Sequence, residues 1–212
     1  MVLFDYGGVL AEEGFREGLK DIARKEGLNP DEFFETARSL VYDSGYVTGH
    51  CDEHTYWTLV RNLTGIRGSD ESLRRSVIDR FELRSWMMDI VRCLRNHGLT
   101  VGILSDQTQW LDELDQRDGF FKEFDVVFNS YHLGRGKRDP DFFAQIALRL
   151  GVLPQEILFI DDTKGNIARA EAAGMTGIRY TGRNSFLREM ERLGLPAVYS
   201  HAPDTETESA SS

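Results

Sequence analysis

The chain has 212 residues, of which 41% are hydrophobic and 28% are charged, and its 35 acidic and 25 basic side chains give a formal net charge of -10. This composition is typical of a folded globular chain and argues against both general disorder and a membrane-spanning segment. The acidic balance disfavours nucleic acid and anionic membranes as partners, whereas an anionic small molecule can bind where the site itself supplies cations.

The two ends of the chain differ in composition from its body. The apolar residues at the N-terminus follow no basic stretch and precede no cleavage site, so we expect no signal peptide and a cytoplasmic location. Residues 198–212 contain almost no apolar side chains, and we expect them to form a disordered tail. The two cysteines, Cys51 and Cys93, lack the spacing of a metal site and are interpreted as free thiols.

Short apolar runs of strand length recur along the chain, separated by segments with apolar residues at helical spacing. Alternation of strands and helices predicts an α/β fold, with a Rossmann-like parallel sheet flanked by helices. The predicted strands are residues 2–4, 99–104, 124–128, 157–160 and 176–180.

The first two predicted strands are separated by far more residues than one crossover helix requires, which indicates an insertion. Asn29 and Ser69 can each cap a helix in this insertion, and two further helices are expected to begin near Gly14 and near Cys51 to Glu53. We therefore expect a small all-helical cap at residues 15–84, inserted into a core that comprises residues 1–14 and 85–197.

Polar motifs follow the predicted strands, where ligands bind in open parallel sheets. Asp5 ends the first strand and precedes two glycines that permit a tight turn, so its carboxylate could be a nucleophile, a metal ligand or both. Ser105 and Asp106 end the second strand, where a hydroxyl and backbone N–H groups can bind an anion.

Two later motifs add the charges that such a site requires. Lys137 lies in a loop before a helix that begins near Pro140, and can deliver one ammonium group. Asp161 and Asp162 follow a buried strand. Together with Asp5 they provide three carboxylates, a ligand set suited to Mg²⁺.

Jointly these motifs resemble those of the haloacid dehalogenase superfamily, specifically its phosphatase-like members with a helical cap between the first and second motifs. All four are present in the expected order, and the resemblance extends from residue 1 to about residue 195. The chain is also similar to phosphatases that act on sugar 1-phosphates, which share the pattern Asp-x-Gly-x-Val and the acidic loop. The four segments are Phe-Asp-Tyr-Gly-Gly-Val-Leu, the strand-ending Ser105, Gly-Lys-Arg-Asp-Pro and Ile-Asp-Asp-Thr-Lys-Gly-Asn.

The resemblance implies a Mg²⁺-dependent phosphatase that hydrolyses a small phosphorylated metabolite through an aspartyl-phosphate intermediate. By this resemblance, Asp5 is the nucleophile and also ligates Mg²⁺, together with the backbone carbonyl of Gly7, Asp161 and Asp162. The protein is expected to be a monomer or a homodimer.

The resemblance also implies how the phosphoryl group is bound. Ser105, the backbone N–H of Asp106 and Lys137 would bind its oxygens, with Ser105 and Lys137 counted as catalytic beside Asp5. Asn166 would orient the acidic loop from the start of the following helix.

Position 7 departs from the family pattern, which usually has a second aspartate there as general acid and base. Gly7 lacks any such group, and general acid catalysis is typically worth ~10²–10⁴-fold in rate. The chain could be a slow phosphatase, could act on a good leaving group such as an anomeric oxygen, or could use a substitute carboxylate. The candidate substitutes are Glu12, Glu13 and Asp106.

Arg138 is a second departure, because the family pattern usually has proline at this position. We expect a less rigid loop and an additional cation close to the site.

Three alternatives remain open. A non-catalytic or regulatory binding protein could retain the fold after losing the acid at Gly7. A dehalogenase could use Asp5 without metal, although the family's dehalogenases have a bulky aromatic residue where this chain has Gly7. The spacing of His50, Cys51 and His54 suggests a zinc site only loosely, because no fourth ligand is evident. The aromatic side chains of the insertion are expected mainly to form its core.

Overall fold

Five parallel strands form one sheet in this computed structural model, which describes residues 1–196. The spatial order of the strands is β3-β2-β1-β4-β5. The prediction of a disordered tail at residues 198–212 concerns residues outside the described part. The strands are β1 (Val2–Phe4), β2 (Val101–Ser105), β3 (Val126–Asn129), β4 (Leu158–Asp161) and β5 (Thr176–Arg179).

The central strand β1 pairs with β2 on one side and with β4 on the other, in parallel register. Its side chains alternate between two hydrophobic clusters: Val2 and Phe4 pack in one, and Leu3 packs in the other. A strand that is buried on both faces has a continuous apolar sequence, as β1 does. The burial of β1 on both faces confirms the predicted parallel sheet with helices on both sides.

Five α-helices lie between β1 and β2 in sequence, and the first four of them precede Leu83, where the chain pairs with Ala11 again, which confirms an all-helical insertion after the first strand. The side chain of Asn29 accepts hydrogen bonds from two backbone N–H groups of the following turn, and Ser69 accepts one from Ser72, so both act as the expected helix caps. The division of the chain at residues 15 and 84 remains a prediction. These first four helices are α1 (Gly14–Lys25), α2 (Pro30–Asp43), α3 (Glu53–Thr64) and α4 (Asp70–Ile78).

Six further α-helices among the described residues accompany the strands of the core. Within residues 1–196, no helix combines the length and the apolar composition required to cross a membrane. The core helices are α5 (Ser85–Asn96), α6 (Trp110–Asp118), α7 (Ser130–Leu133), α8 (Phe142–Leu150), α9 (Lys164–Ala172) and α10 (Arg183–Arg192).

The two segments that join the insertion to the core lie side by side. Ala11 forms an antiparallel bridge with Leu83. The backbone N–H of Glu12 donates to the carbonyl of Glu82 at 2.9 Å, and Arg84 Nη1 donates to the carbonyl of Gly8 at 2.6 Å. The chain thus leaves and re-enters the core through one hydrogen-bonded double connection.

An aromatic cluster joins the insertion to the core beneath the helices. Tyr46, Tyr56 and Trp57 of the insertion are fully buried, and the ring of Trp57 stacks 6.1 Å from that of Trp110 at the start of α6. These side chains pack as expected for core residues, and they fix the insertion against the sheet.

Candidate active site

Three acidic side chains meet beyond the carboxyl ends of the two central strands. Asp5 directly follows β1, Asp161 is the last residue of β4, and Asp162 follows it. Their closest carboxylate oxygens all lie within 4.8 Å of one another. The adjacent strands produce this arrangement, because the N–H of Asp5 donates to the carbonyl of Ile160 at 2.8 Å and extends the ladder.

Lys137 lies between two of these carboxylates. Its Nζ atom is 2.8 Å from Asp5 Oδ1 and 2.8 Å from Asp161 Oδ2. The lysine is fully buried, although it belongs to a loop whose composition alone suggests solvent exposure. A buried ammonium requires such partners, since an unpaired charge would carry a large desolvation cost.

Hydrogen bonds to the backbone of Lys137 fix the loop that carries it. Its N–H donates to Asp106 Oδ1 at 2.9 Å, and its carbonyl accepts from Arg169 Nε at 2.8 Å. Arg169 also donates to Asn166 Oδ1 at 2.7 Å. Sequence reasoning did not identify Arg169, and the only available signal was its spacing of three residues after Asn166 on one helix.

Asn166 contacts the acidic loop directly. Its amide donates to both carboxylate oxygens of Asp161, at 3.1 and 2.9 Å, and the N–H of Thr163 donates to Asp161 Oδ1 at 2.7 Å. With the ammonium of Lys137 added, donors surround Asp161 and fix the orientation of its carboxylate. This geometry suits the orienting role expected for Asn166.

The charges of the site shift one another's protonation. Burial raises the pKa of Asp5 well above its usual value, against the opposing effect of Lys137. Burial and the neighbouring Asp161 likewise raise the pKa of Asp162. Burial disfavours the charged form of Lys137, yet Asp161 and Asp5 together raise its pKa above the usual value for lysine. The lysine is therefore cationic at neutral pH.

This acidic cluster fits a magnesium ion. One ammonium group faces three carboxylates, which leaves excess negative charge at a group of hard oxygen donors. Within the described residues, Asp5 Oδ2 accepts no hydrogen bond, whereas Oδ1 accepts from Lys137 and from the N–H of Tyr6 at 2.8 Å. One oxygen of Asp5 is thus open to a ligand.

Gly8 permits the close approach of the first and fourth motifs. Its φ of +77° lies in the left-handed region, and a Cβ atom at this position would lie 2.5 Å from Asp162 Oδ2. Any side chain here would displace the carboxylate of Asp162, so the glycine is required both for the turn and for the acidic cluster.

The cluster opens into a cavity of about 420 Å³ between the core and the helical insertion. Ser105, Gly7 and Asp106 all line this cavity, as does Lys137. Of the residues that the family resemblance assigns to the site, all except the buried Asp161 therefore line the cavity, and Asp161 contacts its wall through Lys137 and Asn166. Side chains of the insertion on the opposite wall are Phe15, Arg16, Phe34, Glu35, Arg38 and Tyr42.

The loosely spaced histidines of the insertion have other partners. His54 Nδ1 lies 2.8 Å from a carboxylate oxygen of Asp70, and His50 Nδ1 lies 2.9 Å from the hydroxyl of Thr48. Among the residues that the structure describes, Asp5, Asp161 and Asp162 form the only group of three or more candidate metal ligands. This geometry gives no support to a zinc site at His50 and His54.

Comparison with known proteins identifies the family. The model of the haloacid dehalogenase-like hydrolases matches residues 1–174. Phosphatase MT3486 of Mycobacterium tuberculosis is 28% identical over 207 residues, which cover 91% of this chain and 94% of that protein. Flavin mononucleotide hydrolase 1 of Arabidopsis thaliana is 23% identical over 198 residues, which cover 92% of this chain and 78% of that protein.

A solved structure shares the fold at a TM-score of 0.69 and 21% identity, covering 88% of this chain and 97% of that one. It is the HAD family enzyme bt-2542 from Bacteroides thetaiotaomicron, in complex with magnesium and inorganic phosphate. The resemblance inferred from the four motifs is thereby confirmed at the level of the family, and the chain belongs to the haloacid dehalogenase-like hydrolases.

Proposed function

We propose that this hydrolase is a Mg²⁺-dependent phosphomonoester phosphatase, with Asp5 as the nucleophile and a small phosphorylated metabolite as the substrate. The observation that carries the proposal is the environment of the two carboxylate oxygens of Asp5. One of its oxygens is 2.8 Å from a buried ammonium, and within residues 1–196 the other accepts no hydrogen bond and lies beside two further carboxylates. The names of the relatives, a phosphatase and a flavin mononucleotide hydrolase, support the same reaction class.

In the first half of the reaction, a carboxylate oxygen of Asp5 attacks phosphorus in line, and the P–O bond to the substrate's alcohol breaks. In the second half, water attacks the phosphorus of the aspartyl-phosphate and releases the carboxylate of Asp5. The ammonium of Lys137 opposes the rise in the pKa of Asp5 and so favours the charged carboxylate that this attack requires.

Mg²⁺, held by Asp5, the backbone carbonyl of Gly7, Asp161 and Asp162, would neutralise charge on the transferring phosphoryl group. Most of the rate enhancement in phosphoryl transfer comes from positioning and from electrostatic stabilisation. Because the carboxylate of Asp161 is already held in one orientation, this metal ligand needs no rearrangement when substrate binds.

The remaining side chains of the cavity wall bind and enclose the phosphoryl group. The hydroxyl of Ser105 and the backbone N–H of Asp106 lie at the end of β2, where an anion can accept their hydrogen bonds. Lys137 adds positive charge from the opposite loop. The helical insertion covers the site and limits the access of water during transfer.

Phosphate release from sugar phosphates, nucleotides and p-nitrophenyl phosphate, with and without Mg²⁺, tests the proposal. We expect turnover that requires Mg²⁺ and that Asp5→Asn abolishes, because an amide is a poor nucleophile. Asp89→Asn makes the same change at an exposed position on α5 and should retain full activity. Turnover by Asp5→Asn equal to that of the wild type would exclude Asp5 as the nucleophile.

The absence of an acid at Gly7 favours one further candidate, a regulatory protein that binds phosphorylated ligands without turnover. A folded wild-type protein that captures a phosphate mimic such as beryllium fluoride stoichiometrically, yet hydrolyses no member of the panel, would support this candidate. A dehalogenase would instead release halide from a 2-haloacid without Mg²⁺.

A further inference from the structure

Gly7 leaves the site without the carboxylate that usually protonates the leaving group, but another carboxylate lies near the empty position. A Cβ atom on Gly7 would lie 4.0 Å from Glu13 Oε1. Glu13 lines the same cavity as Asp5 and Lys137. Its carboxylate therefore approaches the region that an aspartate side chain at position 7 would occupy.

The other two candidate carboxylates are already engaged. Both oxygens of Glu12 accept hydrogen bonds from Arg84 at 2.9 Å, at the double connection between insertion and core. Asp106 Oδ1 accepts the N–H of Lys137 and fixes its loop. Neither carboxylate can move to a leaving group without breaking the support of the site.

Glu13 is far less constrained. Among residues 1–196, its only hydrogen-bond partner is the N–H of Arg16, which donates to Oε1 at 3.4 Å, beyond the usual range for a strong hydrogen bond. Oε2 has no hydrogen-bond partner among residues 1–196. The side chain is half-buried, and burial together with the charge of Asp162 raises the pKa of its carboxyl group, which favours the protonated form that a general acid requires.

From this geometry we propose that Glu13 is the general acid and general base of the hydrolysis, in place of the aspartate that position 7 lacks. The inference rests on the proposed phosphatase function. In the first half-reaction, the proton of the Glu13 carboxyl group moves to the alcohol oxygen as its bond to phosphorus breaks, and leaves Glu13 as a carboxylate.

The second half-reaction restores the starting state. The Glu13 carboxylate accepts a proton from water as the water oxygen bonds to phosphorus, and the bond between phosphorus and Asp5 breaks. The products are inorganic phosphate, the free carboxylate of Asp5 and a protonated Glu13. No oxidant or further reactant is required.

A purely structural role for Glu13 predicts a different result. Glu13 caps α1 through its contact with Arg16, and a cap lost by substitution would affect all substrates equally. Glu13→Gln retains an oxygen that can accept the N–H of Arg16 but cannot supply the proton. The variant thus separates proton transfer from helix capping.

The test compares two substrates with different leaving groups. p-Nitrophenolate leaves without protonation, whereas the alkoxide of a sugar 6-phosphate or of glycerol phosphate does not. We expect Glu13→Gln to lower kcat on the alkyl phosphate by ~10²-fold or more and on p-nitrophenyl phosphate by only a few fold, provided that formation of the aspartyl-phosphate limits the rate on both.

A burst of p-nitrophenol followed by slow turnover would show that the variant is slow in the second half-reaction, which loss of the general base also predicts. Glu26→Gln, at an exposed position beyond α1, should leave both rates unchanged.

A rescue variant completes the test. The backbone of Gly7 is not in the left-handed region, and the nearest atom to an added Cβ is a ring carbon of Phe81 at 3.4 Å, so the backbone tolerates a Cβ atom at this position. Gly7→Asp combined with Glu13→Gln should recover turnover of the alkyl phosphate. Unchanged kinetics in Glu13→Gln, or equal losses on both substrates without a burst and without rescue, would overturn the role of Glu13. Silence of the wild type on both substrates would instead overturn the proposed phosphatase function.

Discussion

The guanidinium carbon of Arg138 lies 3.4 Å from the centre of the Tyr42 ring. Arg138 belongs to the loop of Lys137 in the core, whereas Tyr42 belongs to α2 of the helical insertion, and both line the cavity. The residue that stands where the family pattern has proline therefore contacts the opposite wall of the cavity. It adds the cation expected from the sequence and joins the two walls.

Replacing Arg138 with Met should raise KM by about 2–30-fold, because a cation–π contact is worth ~0.5–2 kcal/mol and one positive charge leaves the cavity. The change in kcat should be smaller, since the side chain does not contact Asp5. Steady-state kinetics on the best substrate of the panel measures both constants. Tyr42→Phe retains the ring and should resemble the wild type, as should Arg149→Met on the exposed surface of α8. An unchanged KM in Arg138→Met would contradict this prediction.

Lys137→Met should abolish turnover and destabilise the fold by ~3–5 kcal/mol in the absence of Mg²⁺, because two buried carboxylates lose their shared partner. Urea unfolding measures the loss, and Lys164→Met at the exposed start of α9 is the matched control. A loss that is no greater than that of the control would show that the buried ammonium contributes little to stability.

The same variant has a predicted pH dependence. The pKa of Asp5 is already raised by burial, and removal of Lys137 takes away the group that opposes that rise. A carboxyl group whose pKa is higher in the folded than in the unfolded state contributes stability below the unfolded pKa and loses that contribution as pH rises through the folded pKa. Relative to the wild type, Lys137→Met should therefore regain stability on acidification. Parallel urea midpoints from pH 8 to pH 5 would contradict this.

Gly8→Ala should weaken Mg²⁺ binding at least tenfold, because the new Cβ atom would lie 2.5 Å from Asp162 Oδ2 and would displace that carboxylate. Gly27→Ala is the matched control, since Gly27 also has a positive φ, of +72°, but an added Cβ has nothing within 4 Å. Both variants should lose stability of about 1–2 kcal/mol from the left-handed backbone. Only Gly8→Ala should lose Mg²⁺ affinity in calorimetric titrations, and equal affinities in the two variants would contradict the prediction.

Arg169→Met should lower kcat several fold by loosening the loop of Lys137, whose carbonyl then loses its donor. Hydrogen exchange at residues 136–140 should become faster in the variant, which a change in substrate affinity alone would not cause. Arg179→Met is a useful comparison, because Arg179 also donates to a site backbone carbonyl, that of Asp162, but contacts neither Lys137 nor Asn166. Unchanged exchange in Arg169→Met would contradict the role of this arginine in fixing the loop.

Much of the fold could be predicted from local patterns. Strand β1 at Val2–Phe4 coincides with its predicted bounds, because the charged Asp5 ends the apolar run. Asn29 and Ser69 marked helix starts through their capping oxygens. Strand β2 begins later than predicted, at Val101, because apolar character at Leu99 does not itself place a residue in the ladder.

The sequence predicted the parts of the site that lie in short motifs at the ends of strands. Asp5 and Asp161 could be placed together, because neighbouring parallel strands end at the same edge of the sheet. The burial of Lys137 and the stacking of Arg138 on Tyr42 depend on segments that are distant in sequence. No short-range pattern encodes such contacts, since Lys137 is buried against distant core residues and Arg138 meets a residue of the insertion.

The paired connection at Ala11 and Leu83 has a consequence for how this protein can vary. The two ends of the insertion are adjacent, so the insertion connects to the core as a closed loop. The entropic cost of closing such a loop depends only weakly on its length. We expect the helices that follow Gly14 to tolerate changes in length without a change in the register of the strands. The wall that they add to the cavity can therefore vary while Asp5, Lys137 and Asp161 keep their places on the core.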